Sequence, residues 1–477
     1  MNYRMIRNIL GWLLLFECGF MAVPAVTALV YREPQVWHFL ATMLLCGGIG
    51  ILCVLKKPKN STLYAREGFV IVSLSWIVLS VFGSLPFFLS GCIPNYIDAL
   101  FETVSGFTTT GASIRSEVES LPKCMLMWRS FTHWVGGMGV LVFIMAFIPL
   151  SGGQNMHIMK AESPGPSVSK LVPRVKTTAL ILYSIYLVLT FVMFLLLLFG
   201  DMTAFEALNT AFGTAGTGGF GIRNDGLASF SVYSQTVVTV FMLLFSVNFG
   251  CYYLFLLRRF KDAFNAEFRI FIGLVVTAVA IITLNVRGMF ETLGEALHHV
   301  TFTVAALMST TGFSTVDFDA WPELSRTIVA LLLFTGACAG STCGGLKISR
   351  LYILFRSAFN ELGNLIHPHR VKRVIIDGRP VDPEVVRSTN RYMMCYMFLF
   401  AASVFLISFD NHDLITNFTA VATTINNVGP GLGLVGPTGN FGFFSIPAKL
   451  LLIFDMLAGR LEIFPVLALF APSTWKK

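Results

Sequence analysis

Apolar runs of roughly 18–25 residues, each long enough to cross a bilayer as a helix, recur along the whole chain. The first two predict helices at about 9–30 and 36–55. After them one pattern repeats four times: an apolar helix, a short amphipathic segment ending in a Gly/Ser/Thr run, a polar loop, and a second apolar helix. The short segments are DALFETVSGFTTTGAS (98–113), AFEALNTAFGTAGTGGFG (204–221), GEALHHVTFTVAALMSTTGFST (294–315) and NFTAVATTINNVGPGLG (417–433). They align on Gly111, Gly219, Gly312 and Gly429, with gaps of 108, 93 and 117 residues. Periods this long indicate a duplicated membrane module rather than a solenoid.

The helical part of each short segment is too short to span a membrane. Charge then sets the topology. Residues 1–8, 56–66, 151–176, 258–269, 350–391 and the last two lysines hold 24 of the 34 Lys and Arg residues, which places them on the cytoplasmic side. The helices flanking each short segment therefore have their far ends inside. Each segment enters from outside and returns there, as a re-entrant loop. Irregular backbone at membrane depth is tolerated only where protein buries it or it lines a water-filled cavity. Four equivalent copies would ring one axis. The expected fold is an all-α polytopic membrane protein, with two N-terminal helices and four pseudo-fourfold helix–loop–helix repeats around a central pore. The boundaries read as 1–66 for the N-terminal pair, then 67–152, 153–262 with its preceding cytoplasmic loop, 263–357, and 358–477 with a cytoplasmic linker.

A ring of backbone carbonyls can replace the hydration shell of a monovalent cation. Glycine lets the backbone leave ordinary angles without a Cβ penalty. Neighbouring hydroxyls (Thr109, Thr110, Thr217, Thr310, Thr311) keep the loops bonded or solvated. Each short helix points its partly negative C-terminal end at the axis. Glu117, Glu119, Asp225, Asp317 and Asp319 would concentrate cations at the mouth. The bland alternative, close helix packing through small residues, explains one such run better than four in register.

Composition narrows the class. The chain is 55% hydrophobic and 13% charged, against about 25% charged for soluble proteins. Long continuous runs exclude a β-barrel. The basic N-terminus leads into an apolar run that reads as a first membrane helix, not a cleaved signal. The net charge of +8 follows topology and calls for no nucleic acid. Nine scattered cysteines, including Cys338 and Cys343, fit no zinc or redox spacing. GLGLVG (431–436) does not follow a strand, so it is not a dinucleotide site. His298 and His299 lack ligand partners and read as packing or mouth residues. Asn60-Ser61-Thr62 is a glycosylation pattern on the cytoplasmic side and reads as inert. Clustered acids or a metal site, which a membrane enzyme would need, are absent from the sequence pattern, so the chain reads as no enzyme and as needing no cofactor.

Two further intramembrane features stand out. LLFTGACAGSTCGGLKISR (332–350) interrupts the second helix of the third repeat. Gly336, Gly340, Gly344 and Gly345 with Ser341 and Thr342 would break a helix there, either as a kink or as a functional loop. Lys347 lies near its cytoplasmic end and could snorkel. Arg460 is a membrane-depth charge, which reads as functional unless it is a structural ion pair with Asp455 or Glu462.

The segments FETVSGFTTTGAS, FTHWVGGMGVLVFIMAFIPL, TGGFG, STTGFST, FTGACAGSTCGGLKISR, INNVGPGLG and GRLEIFPVL together resemble the membrane subunit of bacterial Trk/Ktr-type potassium uptake systems, in the superfamily of potassium transporters. The two extra N-terminal helices are similar to the Trk type. The resemblance implies potassium uptake across the bacterial inner membrane, with potassium as permeant and both termini cytoplasmic. It implies a selectivity filter at Thr110, Gly111, Thr217, Gly218, Gly219, Thr310, Thr311, Gly312, Asn427, Val428 and Gly429. It implies a gate at Gly336, Gly340, Ser341, Thr342, Gly344, Gly345 and Lys347, with Arg460 facing the pore. Cys343 departs from the glycine expected at its position. A homodimer in membrane lipid and a cytosolic nucleotide-binding ring subunit are the implied partners. An ion-coupled potassium symporter or other secondary transporter is the alternative; its inverted halves with two broken helices fit four same-sense loops poorly.

Overall fold

A computed structural model describes residues 1–56, 64–139, 175–366 and 373–475. The Asn60–Thr62 pattern, most of the loop at 151–176 and part of the linker at 356–391 fall outside the described residues. Six described helices are long and apolar enough to cross a membrane: Tyr3–Tyr31, Val36–Leu55, Arg66–Leu89, Thr177–Leu198, Ala266–Met289 and Pro383–Asp410. The first two match the expected N-terminal pair, and they pack against each other. The other four each precede one short helix.

The short helices are Tyr96–Phe107, Ala204–Ala215, Leu293–Met308 and Leu414–Ile425. Each starts at a residue whose side chain accepts a hydrogen bond from the first turn: Asn95, Thr203, Thr292 and Asp413. Such caps satisfy first-turn N–H donors that have no partner within the helix. None of the four, at 12, 12, 16 and 12 residues, reaches the length a bilayer crossing needs.

The sequence pattern predicts one helix break, in the third repeat. The structure has more. The second helix of the second repeat, Val232–Ser246, bends by 89° into Phe249–Leu256. The second helix of the fourth repeat ends at Arg460 and resumes at Phe464, with Glu462 and Ile463 at φ 57° and 64°. Asn248 explains the first break: its side chain caps Gly250 N–H and restarts the helix. In the third repeat, Glu323–Leu332 and Ile348–Ile366 are separated by the non-helical stretch 333–347.

Repeats two and four also share a tie. Asp201 accepts from Ser231 N and Oγ (2.8 and 2.6 Å), and Asp410 accepts from Ser445 N and Oγ (2.7 and 2.6 Å). Both join the end of a repeat's first helix to the start of its second. Partial burial opposes ionisation of Asp201, but bonds from Ser231 and Ser234 outweigh it and hold the carboxyl down to about 2. A depressed carboxylate stabilises the fold above its unfolded value and loses that contribution as pH falls through its folded value. Thermal stability of the detergent-purified protein is therefore expected to fall between about pH 4 and pH 2, and Asp201→Asn to flatten that limb. An unchanged acid limb would show that the tie adds nothing.

Candidate functional site

The four short helices end in the same backbone motif. Thr109, Thr217, Thr310 and Asn427 adopt left-handed angles (φ 56°, 55°, 51° and 53°). The following residue donates back five positions: Thr110 N to Ser105 O, Gly218 N to Gly213 O, Thr311 N to Ala306 O and Val428 N to Thr423 O, each 2.9 Å. This is a Schellman-type end, but with three β-branched residues where glycine is usual. A β-branched residue at positive φ is an outlier, and such strain persists where surroundings over-determine it. Gly111, Gly219, Gly312 and Gly429 then return to positive φ (80°, 74°, 76° and 98°).

The loops meet head to tail. A Cβ placed on Gly111 would lie 1.9 Å from Gly218 O. On Gly219 it would lie 1.8 Å from Thr311 O, on Gly312 2.2 Å from Val428 O, and on Gly429 2.8 Å from Thr110 O. Each glycine thus faces the carbonyl that precedes the next loop's glycine, and the fourth contact returns to the first loop. The ring closes. Its members Thr110, Gly111, Gly218, Gly219, Thr311, Gly312, Val428 and Gly429 are all among the residues the sequence resemblance implies; Thr109 belongs with Thr217, Thr310 and Asn427 by backbone conformation.

All four glycines line a cavity of ≈ 120 Å³ on the open side of the ring, room for several waters. The five acids expected at this mouth are not among its lining residues. Arg115, Arg129 and Arg223 are. Three of the acids have structural work: Glu119 accepts from Asn224 N, Asp317 from Asp319 N, and Asp319 pairs with Arg326 and accepts from Gly433 N. The arginines are largely compensated. Arg129 forms a buried ion pair with Glu102 (2.7 Å), and Arg223 pairs with Glu206 (2.7 Å). Glu102 also accepts from Ser113 Oγ and Ile114 N, so this pair ties the first loop in place. His298 bonds Gln235 and His299 bonds Thr315, as polar packing residues do.

On the other side of the ring lies the stretch 333–347. Gly336 N donates to Leu346 O (2.8 Å), Cys338 N to Ser246 O (3.2 Å), and Phe249 N to Gly340 O (3.0 Å). The break around 246–249 therefore supplies partners for the non-helical backbone of 333–347. Ser341 Oγ donates to Cys338 O, and Thr342 Oγ1 to Phe245 O. Glu267 accepts from both Ala339 N (2.8 Å) and Ser349 N (3.1 Å). Gly340 and Gly345 take positive φ (73° and 68°), and a Cβ on Gly344 would lie 2.5 Å from Asn426 O. The stretch touches the ring directly, since Gly344 N donates to Thr310 Oγ1 at 2.8 Å. Lys347 does not snorkel: it is 1% exposed, with its ammonium on the carbonyls of Cys343 and Gly344. These local carbonyls satisfy it where it stands. Cys343 is buried, with Sγ beside Ser246 Oγ.

Arg460 sits at the same level. It donates to Gly136 O (2.6 Å), Gly137 O (2.7 Å), Thr342 O (2.9 Å) and Thr109 Oγ1 (3.2 Å). It thus joins the first loop, the second helix of the first repeat and the 333–347 stretch. Of the two candidate acid partners, Asp455 accepts from Ser403 Oγ, and Glu462 forms an ion pair with Arg350. Cys343, Gly344, Gly345, Lys347, Tyr392, Gly459, Arg460 and Glu462 enclose a cavity of only ≈ 10 Å³. That holds one water at most.

Among the described residues no group of three His, Cys, Asp or Glu could hold a metal ion. A closed ring of glycine–carbonyl contacts at the meeting point of four short helices, inside a bundle of membrane-length helices, defines a class: a polytopic membrane protein of the cation-transporting kind. The comparisons with known proteins agree. The profile of the TrkH family, described as cation transport protein, matches residues 35–477. The chain belongs to that family, one of transport proteins and not of enzymes. It is 36% identical over 486 residues to the Trk system potassium uptake protein TrkH of Salmonella typhimurium, covering 100% of both chains. It is 33% identical to TrkG of Escherichia coli, covering 100% of this chain and 99% of that one. The crystal structure of the potassium transporter TrkH from Vibrio parahaemolyticus superposes with a TM-score of 0.89 at 33% identity, covering 100% of both chains.

Proposed function

We propose that this protein takes up potassium across the bacterial inner membrane, through a channel-like pore whose selectivity filter is the four-loop ring. The observation that carries this reading is the closed succession of glycine–carbonyl contacts from Gly111 through Gly219, Gly312 and Gly429. It supports a cation site made of backbone oxygens, without side-chain ligands. The C-terminal ends of the four short helices add a favourable field for a cation. The repeat boundaries at 67–152, 153–262, 263–357 and 358–477 fit this plan, with the basic segments cytoplasmic.

The stretch Gly336–Lys347 acts as the gate beneath the filter, and Arg460 raises the barrier for a cation there. The ≈ 10 Å³ cavity between them supports a shut state, since no hydrated ion fits. The curated relatives are named as parts of a Trk system, which supports a partner for this chain. A cytosolic nucleotide-binding ring, acting on a homodimer, is the reading that gives the gate its control.

Thr310→Val removes the acceptor of Gly344 N–H and keeps the side-chain shape. A lost neutral hydrogen bond costs about 1 kcal/mol, so basal flux is expected to rise about fivefold, while Thr310→Ser stays near the parent. Equal flux in both variants would separate the gate from this contact. The overall reading is tested by cation flux into proteoliposomes holding the purified protein. Potassium and rubidium entering well ahead of sodium, without a coupling gradient, is the expected outcome. Uptake that demands a proton or sodium gradient would replace the pore with a coupled transporter.

A further inference from the structure

The ring has one member that differs from the rest. The residue before the key glycine is Thr110, Thr311 or Val428 in three loops, and Gly218 in the second. Gly218 has no positive φ to explain it. The space where its side chain would stand is occupied: a Cβ there would lie 2.2 Å from Nδ1 and 2.3 Å from Cγ of His133. His133 comes from the second helix of the first repeat, Lys123–Gly137, and is fully buried. Its Nδ1 lies 2.7 Å from Gly106 O, in the last turn of the first short helix. Its Nε2 lies 3.2 Å from Phe220 N, just after Gly219. An amide N–H can only donate, so Nε2 accepts, and the ring proton sits on Nδ1, donating to Gly106 O. The ring is neutral and uses both nitrogens. Arg129, one helical turn away on the same face, donates to the next carbonyl on, Gly221 O, at 3.1 Å.

We infer that His133 is a positioning residue of the filter. It replaces the side chain missing at Gly218, clamps the seam between the first and second loops, and so sets cation discrimination. Packing alone would call for an apolar ring in this site, and would not use one donor and one acceptor on two different loops. The inference rests on the filter reading above, and the test separates the two.

Potassium and sodium fluxes are compared in proteoliposomes for the parent protein, His133→Ala, His133→Asn, the pair His133→Ala with Gly218→Ala, and Gly219→Ala as a filter control. His133→Ala is expected to lower the potassium-to-sodium ratio about tenfold. His133→Asn keeps a donor near Gly106 O but falls short of Phe220 N, so an intermediate drop is expected. Gly218→Ala alone overlaps the imidazole, whereas the pair removes the three ring atoms nearest the new methyl group and is expected to regain part of the ratio. An unaltered ratio in His133→Ala, with Gly219→Ala still losing discrimination, would reduce His133 to a core residue. Should His133→Ala fail to fold, an unaltered ratio in His133→Asn would overturn the inference in its place. An unaltered ratio in Gly219→Ala would overturn the filter reading itself.

Discussion

Replacing Gly219 with alanine is expected to abolish potassium-over-sodium discrimination, the largest single effect the ring allows. The new Cβ would lie 1.8 Å from Thr311 O, whereas real Cβ atoms keep at least 3.0 Å. The carbonyl must therefore retreat by more than an ångström or turn away from the axis. An L side chain at this φ adds about 1–2 kcal/mol of strain. Carbonyls that coordinate an ion in place of water have to hold their spacing and direction, so a shift of this size would remove the proposed site. The ring also predicts an order. The contact distances are 1.8 Å at Gly219, 1.9 Å at Gly111, 2.2 Å at Gly312 and 2.8 Å at Gly429. Loss of discrimination should follow that order, with Gly429→Ala the mildest. Flux ratios in proteoliposomes measure it, and four alanine variants with equal ratios would contradict the contact geometry.

Replacing Arg460 with alanine is expected to raise basal potassium flux about thirtyfold. A unit charge roughly 8 Å from a passing cation, at an effective dielectric constant near 20, imposes about 2 kcal/mol, which is about 30-fold in rate. The same change releases Thr342 O, so the stretch 333–347 next to the ring loses a tether. Arg460→Lys keeps the charge but not the fork that reaches Gly136 O and Gly137 O together. Its basal flux is expected to stay within a few-fold of the parent. If Arg460→Ala instead unfolds more easily and conducts no faster, the arginine is a structural clamp and the barrier lies elsewhere.

Much of the site was legible because its determinants are local. A capping residue, a short amphipathic stretch and a glycine after hydroxyl residues sit within about twenty positions, four times over, and each spells the same turn. The glycine-rich interruption at 333–347 was readable for the same reason. What sequence left hidden is held by distant pairs. Arg460 meets Gly136 across 324 positions, and His133 meets Phe220 across 87. In FTHWVGG nothing distinguishes a core histidine from one that serves two loops; the only local hint was the glycine at 218, out of keeping with its three counterparts. The break at Val247–Asn248 carries no glycine run before it, so periodicity passed over it. Lys347 looked free to reach water because the carbonyls of its own stretch were invisible until that stretch was seen to turn back on it. Of the acids near the mouth, Glu119 and Asp319 are spent tying loops together, through Asn224 N and Gly433 N, contacts that span 105 and 114 positions and leave no local mark.

The measurement closest to the central claim is anomalous diffraction from crystals of the protein soaked in rubidium. The expected result is a peak on the axis of the ring, among the carbonyls of Thr110, Gly218, Thr311 and Val428, and its loss in crystals of Gly219→Ala. A rubidium peak held instead by side-chain carboxylates away from the four loops, with the ring empty in a protein that still transports, would contradict it.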